Sequence, residues 1–186
     1  MMDEETRRLF EKRSSRRELV EWIESLLFAF VLIVLIYTFF FRIITISGSS
    51  MENTLQHNDR VIVQGIAYEP KHGDVIVVDS FTDYGEPLVK RVIAMEGDEV
   101  DIDFSTGEVF VNGKVIDEPY LGSETLTQHD VRFPLTVDRG CLFVLGDNRE
   151  VSLDSRSKEV GLIDERDVLG KVVFRLFPLS EMGGVK

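Results

Sequence analysis

From Ser25 to Phe41 the chain carries no charged side chain: SLLFAFVLIVLIYTFFF. This run constrains the fold more than any other stretch, because a helix that is apolar on every side must be covered by protein or by lipid. Val20, Trp22 and Ile23 extend it backward around Glu21 and Glu24, and Ile43 and Ile44 extend it past Arg42. A spanning helix needs about 20 residues, with roughly 17 as the short limit. Residues 20–44 are therefore expected to form a transmembrane anchor. Trp22 near one end and Tyr37 toward the other suit the membrane interfaces, and Arg42 can snorkel outward. Two other fates fit less well. A buried core helix needs more surrounding protein than 186 residues supply. A cleaved leader needs a small-x-small site, and none follows the run before Ser47.

Charge gives the orientation. Residues 1–18 hold six basic residues (Arg7, Arg8, Lys12, Arg13, Arg16 and Arg17), whereas Arg42 is the one basic residue between Phe41 and Arg60. By the positive-inside rule, residues 1–19 are expected to be cytoplasmic and residues 45–186 extracytoplasmic. The formal net charge is −12, nearly all of it after Ser47, which argues against a nucleic-acid partner. Cys141 is the only cysteine, so no internal disulfide can form. One cysteine and three scattered histidines build no zinc-type cluster.

Beyond the anchor the pattern is that of strands. Short β-branched runs alternate with turn residues, at Ile43–Ile46, Arg60–Gln64, Asp74–Asp79, Pro87–Met95, Glu99–Asp103, Glu108–Val111, Lys114–Ile116, Cys141–Leu145 and Lys171–Leu176. Asn112-Gly113 lies between two of these runs and is a strong hairpin signal, because a type I′ turn needs positive φ at both central residues. Met51–Leu55 is expected to make a short helical turn. The segment around 101–137 differs in character and is expected to form a small β insertion, a hairpin-based appendage on one main domain.

Three polar stretches could carry chemistry. Ser50 follows Gly48 in a turn-like segment, where a serine can present its hydroxyl and leave N–H groups free for an oxyanion, although most such serines are turn residues only. In Leu88-Val89-Lys90-Arg91-Val92-Ile93-Ala94, alternation places Lys90 on one face with Leu88, Val92 and Ala94. A lysine buried there would have a lowered pKa and could accept a serine proton; the bland reading is a solvated charge or a structural ion pair. Gly146 to Arg156 is dense in hydrogen-bonding groups: Asp147 and Asn148 suit Asx turns, Ser152 could orient an amine, and Asp154 and Arg156 could pair. It lacks the ligand spacing of a calcium loop. His57, His72 and His129 sit in polar loop sequence and no G-x-S-x-G elbow surrounds Ser50, so a serine–histidine triad has no support.

Taken in order, these stretches resemble a known set. Ser50-Met51-x-x-Thr54-Leu55 after an anchor, Gly73-Asp74-Val75-Ile76-Val77-Val78, Lys90-Arg91-Val92-Ile93 with Gly97-Asp98, and Gly146-Asp147-Asn148-Arg149-x-x-Ser152-x-Asp154-Ser155-Arg156 resemble the boxes of bacterial type I signal peptidases. The short length and single anchor are similar to the forms common in Gram-positive bacteria. The resemblance spans about residues 20–178 and implies a mainly β fold of bent antiparallel sheets, preceded by one transmembrane helix. It implies Ser50 as nucleophile, Lys90 as general base, Ser152 as the serine that orients the lysine, and Asp154 with Arg156 as a supporting pair. It also implies the Ser50 backbone N–H as one oxyanion donor. Two positions depart from the family. Asn53 stands where proline is usual, and Gly48 stands where some members carry a serine hydroxyl as the second oxyanion donor, which leaves that donor unassigned.

The resemblance implies a membrane-bound serine endopeptidase that removes signal peptides from exported preproteins after small-x-small sequences, without metal or organic cofactor. Ser50 lies nine residues past Phe41, a reach of at most about 30–32 Å, so the nucleophile can work near the bilayer surface. The substrate is expected to add as a strand, with Ile44, Val89 and Val92 as candidate pocket residues, and the enzyme to act as a monomer in the cell membrane. The competing reading is a membrane-anchored β domain that binds a partner without catalysis, which would leave Lys90 ordinary and exposed. A soluble self-cleaving Ser/Lys protease of the repressor type fits poorly with the span.

Overall fold

The computed structural model describes residues 4–66, 68–79 and 85–185, and within its helix the side chains of residues 17–35 and of Phe40. The chain divides into two units, residues 1–40 and 41–186.

The first unit is one helix, α1 (Glu4–Phe40). From Leu19 to Leu35 its large apolar side chains are exposed around the whole circumference, with Trp22 at 78 % and Leu26 at 73 %. The side chains of residues 36–39, inside the apolar run, lie outside the described residues. Among the described residues no helix is long and apolar enough to cross a membrane.

The second unit is built from strands, as the alternation of β-branched residues leads one to expect. Its larger sheet is antiparallel and runs in the order β1 (Phe41–Thr45), β2 (Arg60–Gln64), β11 (Val168–Phe177), β3 (Val75–Val78), β4 (Leu88–Met95), β9 (Cys141–Leu145), β10 (Ile163–Asp164), with β12 (Gly183–Gly184) also on β11. Ile43 and Ile44 thus belong to β1, paired with Ile62 and Val61. The sheet is curled. β11 shifts register between Val168 and Gly170, between Val172 and Phe174, and between Arg175 and Phe177, and each extra residue bends the strand and adds twist.

A second antiparallel sheet orders β7 (Lys114–Val115), β6 (Glu108–Val111), β5 (Glu99–Asp103) and β8 (Leu135–Thr136). Asn112 (φ 52°) and Gly113 (φ 72°) turn β6 into β7, both in the left-handed region that a type I′ turn requires. This sheet shares a core with β4 and β9: Ile93, Ala94, Val100, Ile102, Val109, Val137, Phe143 and Leu145 form one buried cluster.

A different cluster positions the chemistry. Ile46, Met51, Leu55, Val61, Val63, Val75, Val77 and Val172 pack together. Burial of Met51 and Leu55 at about 1.5–3 kcal/mol each nails down the turn that follows Ser50.

Candidate active site

Three segments converge from distant parts of the sequence. The first is the turn after β1. Leu55 N–H donates to Met51 O at 2.8 Å and Thr54 N–H to the same oxygen at 3.0 Å, which makes the single helical turn expected there. Asn53 has φ 84°. Proline fixes φ near −65°, so the residue usual in the family could not adopt this conformation. Asparagine tolerates it better than most residues.

The second segment is β4. Lys90 and Arg91 are each 2 % exposed, so neither is a solvated strand charge. Lys90 Nζ donates to Ser50 Oγ at 2.8 Å and to Val89 O at 3.2 Å. Burial pushes the Lys90 ammonium down to about 8; Asp154 and Asp147 oppose that shift, and Arg156 adds to it. Loss of hydration penalises the charged form, and among the described residues no carboxylate bonds to Nζ to compensate. The amine can therefore lose its proton near the upper end of physiological pH.

The third segment is the loop after β9, from Gly146 to Arg156. It grips the serine turn by its backbone: Asn148 N–H donates to Ser50 O at 3.0 Å, and Asn148 Nδ2 to Ser49 O at 3.2 Å. A Cβ on Gly146 would overlap Ser152 Oγ and lie 2.5 Å from Ser50 O, so only glycine lets the loop pass between them. Ser152 is buried, and its Oγ completes no well-formed hydrogen bond among the described residues, although it lies close enough to Asp154 to help hold that carboxyl low. An unmatched buried hydroxyl costs free energy and marks a group free to bond with something that arrives. Asp154 and Arg156 are fully buried and paired, Nε to Oδ1 at 2.8 Å and Nη2 to Oδ2 at 2.9 Å. Burial alone would raise the Asp154 carboxyl, but the Arg156 guanidinium and the Gly146 N–H hold it below its ordinary value.

The Ser50 N–H donates to no group among the described residues, whereas the Gly48 N–H is taken up by His57 Nδ1 at 3.2 Å. Two clefts open beside the serine. One of about 390 Å³ is lined by Ile44, Ile46, Met51, Val77, Leu88, Val89 and Leu169 as well as Ser50 and Lys90. The other, about 380 Å³, is lined by Ser47, Ser49, Glu86, Pro87, Val151 and Leu153, again with Ser50 and Lys90. Of the three candidate pocket residues, Ile44 and Val89 line the first cleft. Val92 does not: it is fully buried in another core cluster with Ile76, Leu142 and Val144.

Several residues with evident structural roles here were not singled out in the sequence. Arg91 forks onto Asp147, Nε to Oδ1 at 2.8 Å and Nη2 to Oδ2 at 2.6 Å, and the Thr54 hydroxyl donates a short hydrogen bond to the same carboxylate. This ties the lysine strand, the loop and the serine turn together. The partners are 56 and 93 residues apart in sequence, so no local pattern reveals them. The one available signal was the Lys-Arg pair in an otherwise apolar strand, since a buried arginine demands a carboxylate.

The family described as signal peptidase, peptidase S26, has a profile that matches residues 19–177 of this chain. A signal peptidase IB of Staphylococcus aureus (strain Mu50) is 38 % identical over 184 residues, covering 89 % of this chain and 93 % of its own. A signal peptidase I of Bacillus licheniformis is 36 % identical over 179 residues, covering 91 % of this chain and 94 % of its own. A crystal structure of a signal peptidase I from Enterococcus faecalis V583 aligns with 56 % of this chain and 97 % of its own, with 29 % identity and a TM-score of 0.48.

Proposed function

The chain belongs to the signal peptidase family, peptidase S26, and on that premise we propose that it is a membrane-anchored serine endopeptidase that removes signal peptides from exported preproteins with a Ser50–Lys90 dyad. The observation that carries this reading is the 2.8 Å contact between Nζ of the buried Lys90 and Oγ of the partly buried Ser50. A domain that only binds a partner has no use for an amine desolvated against a serine hydroxyl.

The chemistry follows from the geometry. Neutral Lys90 takes the Ser50 proton as Oγ attacks the scissile carbonyl. The Ser50 N–H is available to the oxyanion. Protonated Lys90 then gives its proton to the departing amine, and the same lysine activates a water that hydrolyses the acyl-enzyme. Ser152 Oγ, buried and held by no well-formed hydrogen bond among the described residues, can bond to the lysine as it changes charge. Asp154 and Arg156 brace the loop that carries Ser152. The cleft of about 390 Å³, walled mainly by apolar side chains with Glu86 also in its lining, can take uncharged side chains of a substrate laid down as an added strand, and the family resemblance adds the preference for small-x-small sequences.

The uncharged run of residues 25–41 and the exposure of every large side chain from Leu19 to Leu35 support a lipid-embedded anchor. The basic residues before it support a cytoplasmic N-terminus, with a monomer acting at the outer face of the cell membrane. The test is cleavage of a signal-peptide-bearing precursor by the detergent-solubilised full chain. Trimming after a small-x-small sequence, abolished in folded Ser50→Ala and Lys90→Ala variants, supports the reading; activity that survives loss of Lys90 refutes the dyad.

A further inference from the structure

Behind the dyad lies a segment without regular structure, residues 117–127, between β7 and β8. It touches each of the three elements that meet at the site. Against the loop, the Glu118 carboxylate takes both terminal nitrogens of Arg149, and the Thr125 hydroxyl takes one of them as well. The Arg149 and Glu118 side chains are 1 % and 7 % exposed, and Arg149 Nε holds Gly146 O at 3.0 Å. Further along, Thr127 O accepts from Arg156 Nη1 at 3.0 Å. Against the lysine strand, the Tyr120 ring lies flat under Arg91, 3.8 Å from the guanidinium carbon to the ring centroid. The Tyr120 hydroxyl donates to Glu118 at 2.9 Å, linking the two contacts. Against the serine turn, Gly122 abuts Asn53: a Cβ there would overlap Asn53 Nδ2 and lie 2.9 Å from Cγ.

We propose that this segment is a strap that holds the Ser50 turn, the Lys90 strand and the Gly146–Arg156 loop in mutual register, with Tyr120 and Glu118 as its positioning residues. The inference rests on the Ser50–Lys90 reading above. Arg91 follows Lys90 on β4 and its guanidinium grips Asp147, whose other partner is Thr54 in the serine turn. A ring face against that guanidinium fixes its plane, and a fixed plane fixes both Asp147 and Thr54. Glu118 acts in the same way through Arg149 on the Gly146 carbonyl, at the point where the loop squeezes between Ser152 and Ser50. Neither Tyr120 nor Glu118 touches the cleft that would hold substrate, so their effect should fall on the reacting geometry and leave binding alone.

The experiment compares Tyr120→Phe and Tyr120→Met in the full-length solubilised protein, with wild type and Ser50→Ala alongside. Phenylalanine keeps the ring face, while methionine keeps the apolar bulk and loses it. Misplacement of reacting groups by about 1 Å can cost 100-fold in rate. Tyr120→Met should therefore lose about 10-fold or more in kcat at unchanged KM, and Tyr120→Phe should stay within about threefold of wild type. Amide hydrogen exchange should quicken in residues 47–54 and 146–154 of Tyr120→Met and stay unchanged in β5 and β6. Wild-type kcat and wild-type exchange in Tyr120→Met overturn the strap. If Tyr120→Met does not fold, Glu118→Gln supplies the same readings, since it keeps the side chain's shape and removes the charge that holds Arg149. Ser50→Ala separates the two claims. An active Ser50→Ala refutes the proposed function and leaves the exchange result to decide the strap, whereas an inactive Ser50→Ala beside a fully active Tyr120→Met refutes the strap alone.

Discussion

The chemistry of this molecule turns on how one lysine is kept from its usual state. Among the described residues Lys90 has no carboxylate at hydrogen-bond distance; it has a serine hydroxyl and a carbonyl. Desolvation lowers its pKa, and the two acids that oppose the shift are already committed, Asp147 to Arg91 and Asp154 to Arg156. Pairing those acids with arginines leaves them acting on the ammonium from a distance, too weakly to offset its desolvation. Gly146 matters at the same scale. Alanine there would press on the Ser152 hydroxyl and on the Ser50 carbonyl, so Gly146→Ala should lower kcat by about 10-fold or more while the apolar cleft, and with it KM, is little changed. Steady-state kinetics on a short peptide substrate checks this, and an unchanged kcat would mean that the loop passes the serine turn with room to spare.

At the scale of elements, most of the framework could be read from local pattern. β2, β5, β6 and β9 fall where the alternation put them, and the Asn112-Gly113 turn has the positive φ values its residues suit. That turn lies far from the dyad in sequence and packs no side chain at Gly113. Gly113→Val should destabilise the fold by about 1–2 kcal/mol, the cost of holding a residue with a Cβ in the left-handed region, and leave kcat unaltered, as chemical denaturation together with an activity assay can show. β8, β10 and β12, of two residues each, carried too little pattern to be seen, because their pairing depends on neighbours far away in sequence. Helix and strand also meet without a break at Phe40 and Phe41. Ile43 and Ile44 look the same to a hydropathy reading in either role, and only their pairing partners on β2 decide. For the site, the ordered boxes pointed to Ser50, Lys90, Ser152, Asp154 and Arg156. The arginine–carboxylate cross-links and the 117–127 segment stayed hidden, since each is a long-range contact between residues ordinary in their local sequence. The left-handed backbone at Asn53 was equally invisible, since asparagine in a polar turn fits several backbone conformations.

Across the whole molecule, the lysine's state is linked to stability. Its pKa is about 8 in the folded protein against an ordinary 10.5, so between those values the unfolded chain binds more protons than the folded one. Stability from this group therefore rises with pH across that window and is flat on either side. The difference in unfolding free energy between wild type and Lys90→Met, followed from pH 7 to 11, should change in wild type's favour within the window; a difference independent of pH would mean that Lys90 is not desolvated. Most direct is the covalent intermediate itself. Full-length protein mixed with a precursor, quenched in acid and digested should yield a peptide acylated at Ser50. The rate of acylation should rise with pH through about 8 in step with the neutral form of Lys90 and fall to background in Lys90→Met. An adduct on another residue, or one that forms equally well without Lys90, would contradict the account.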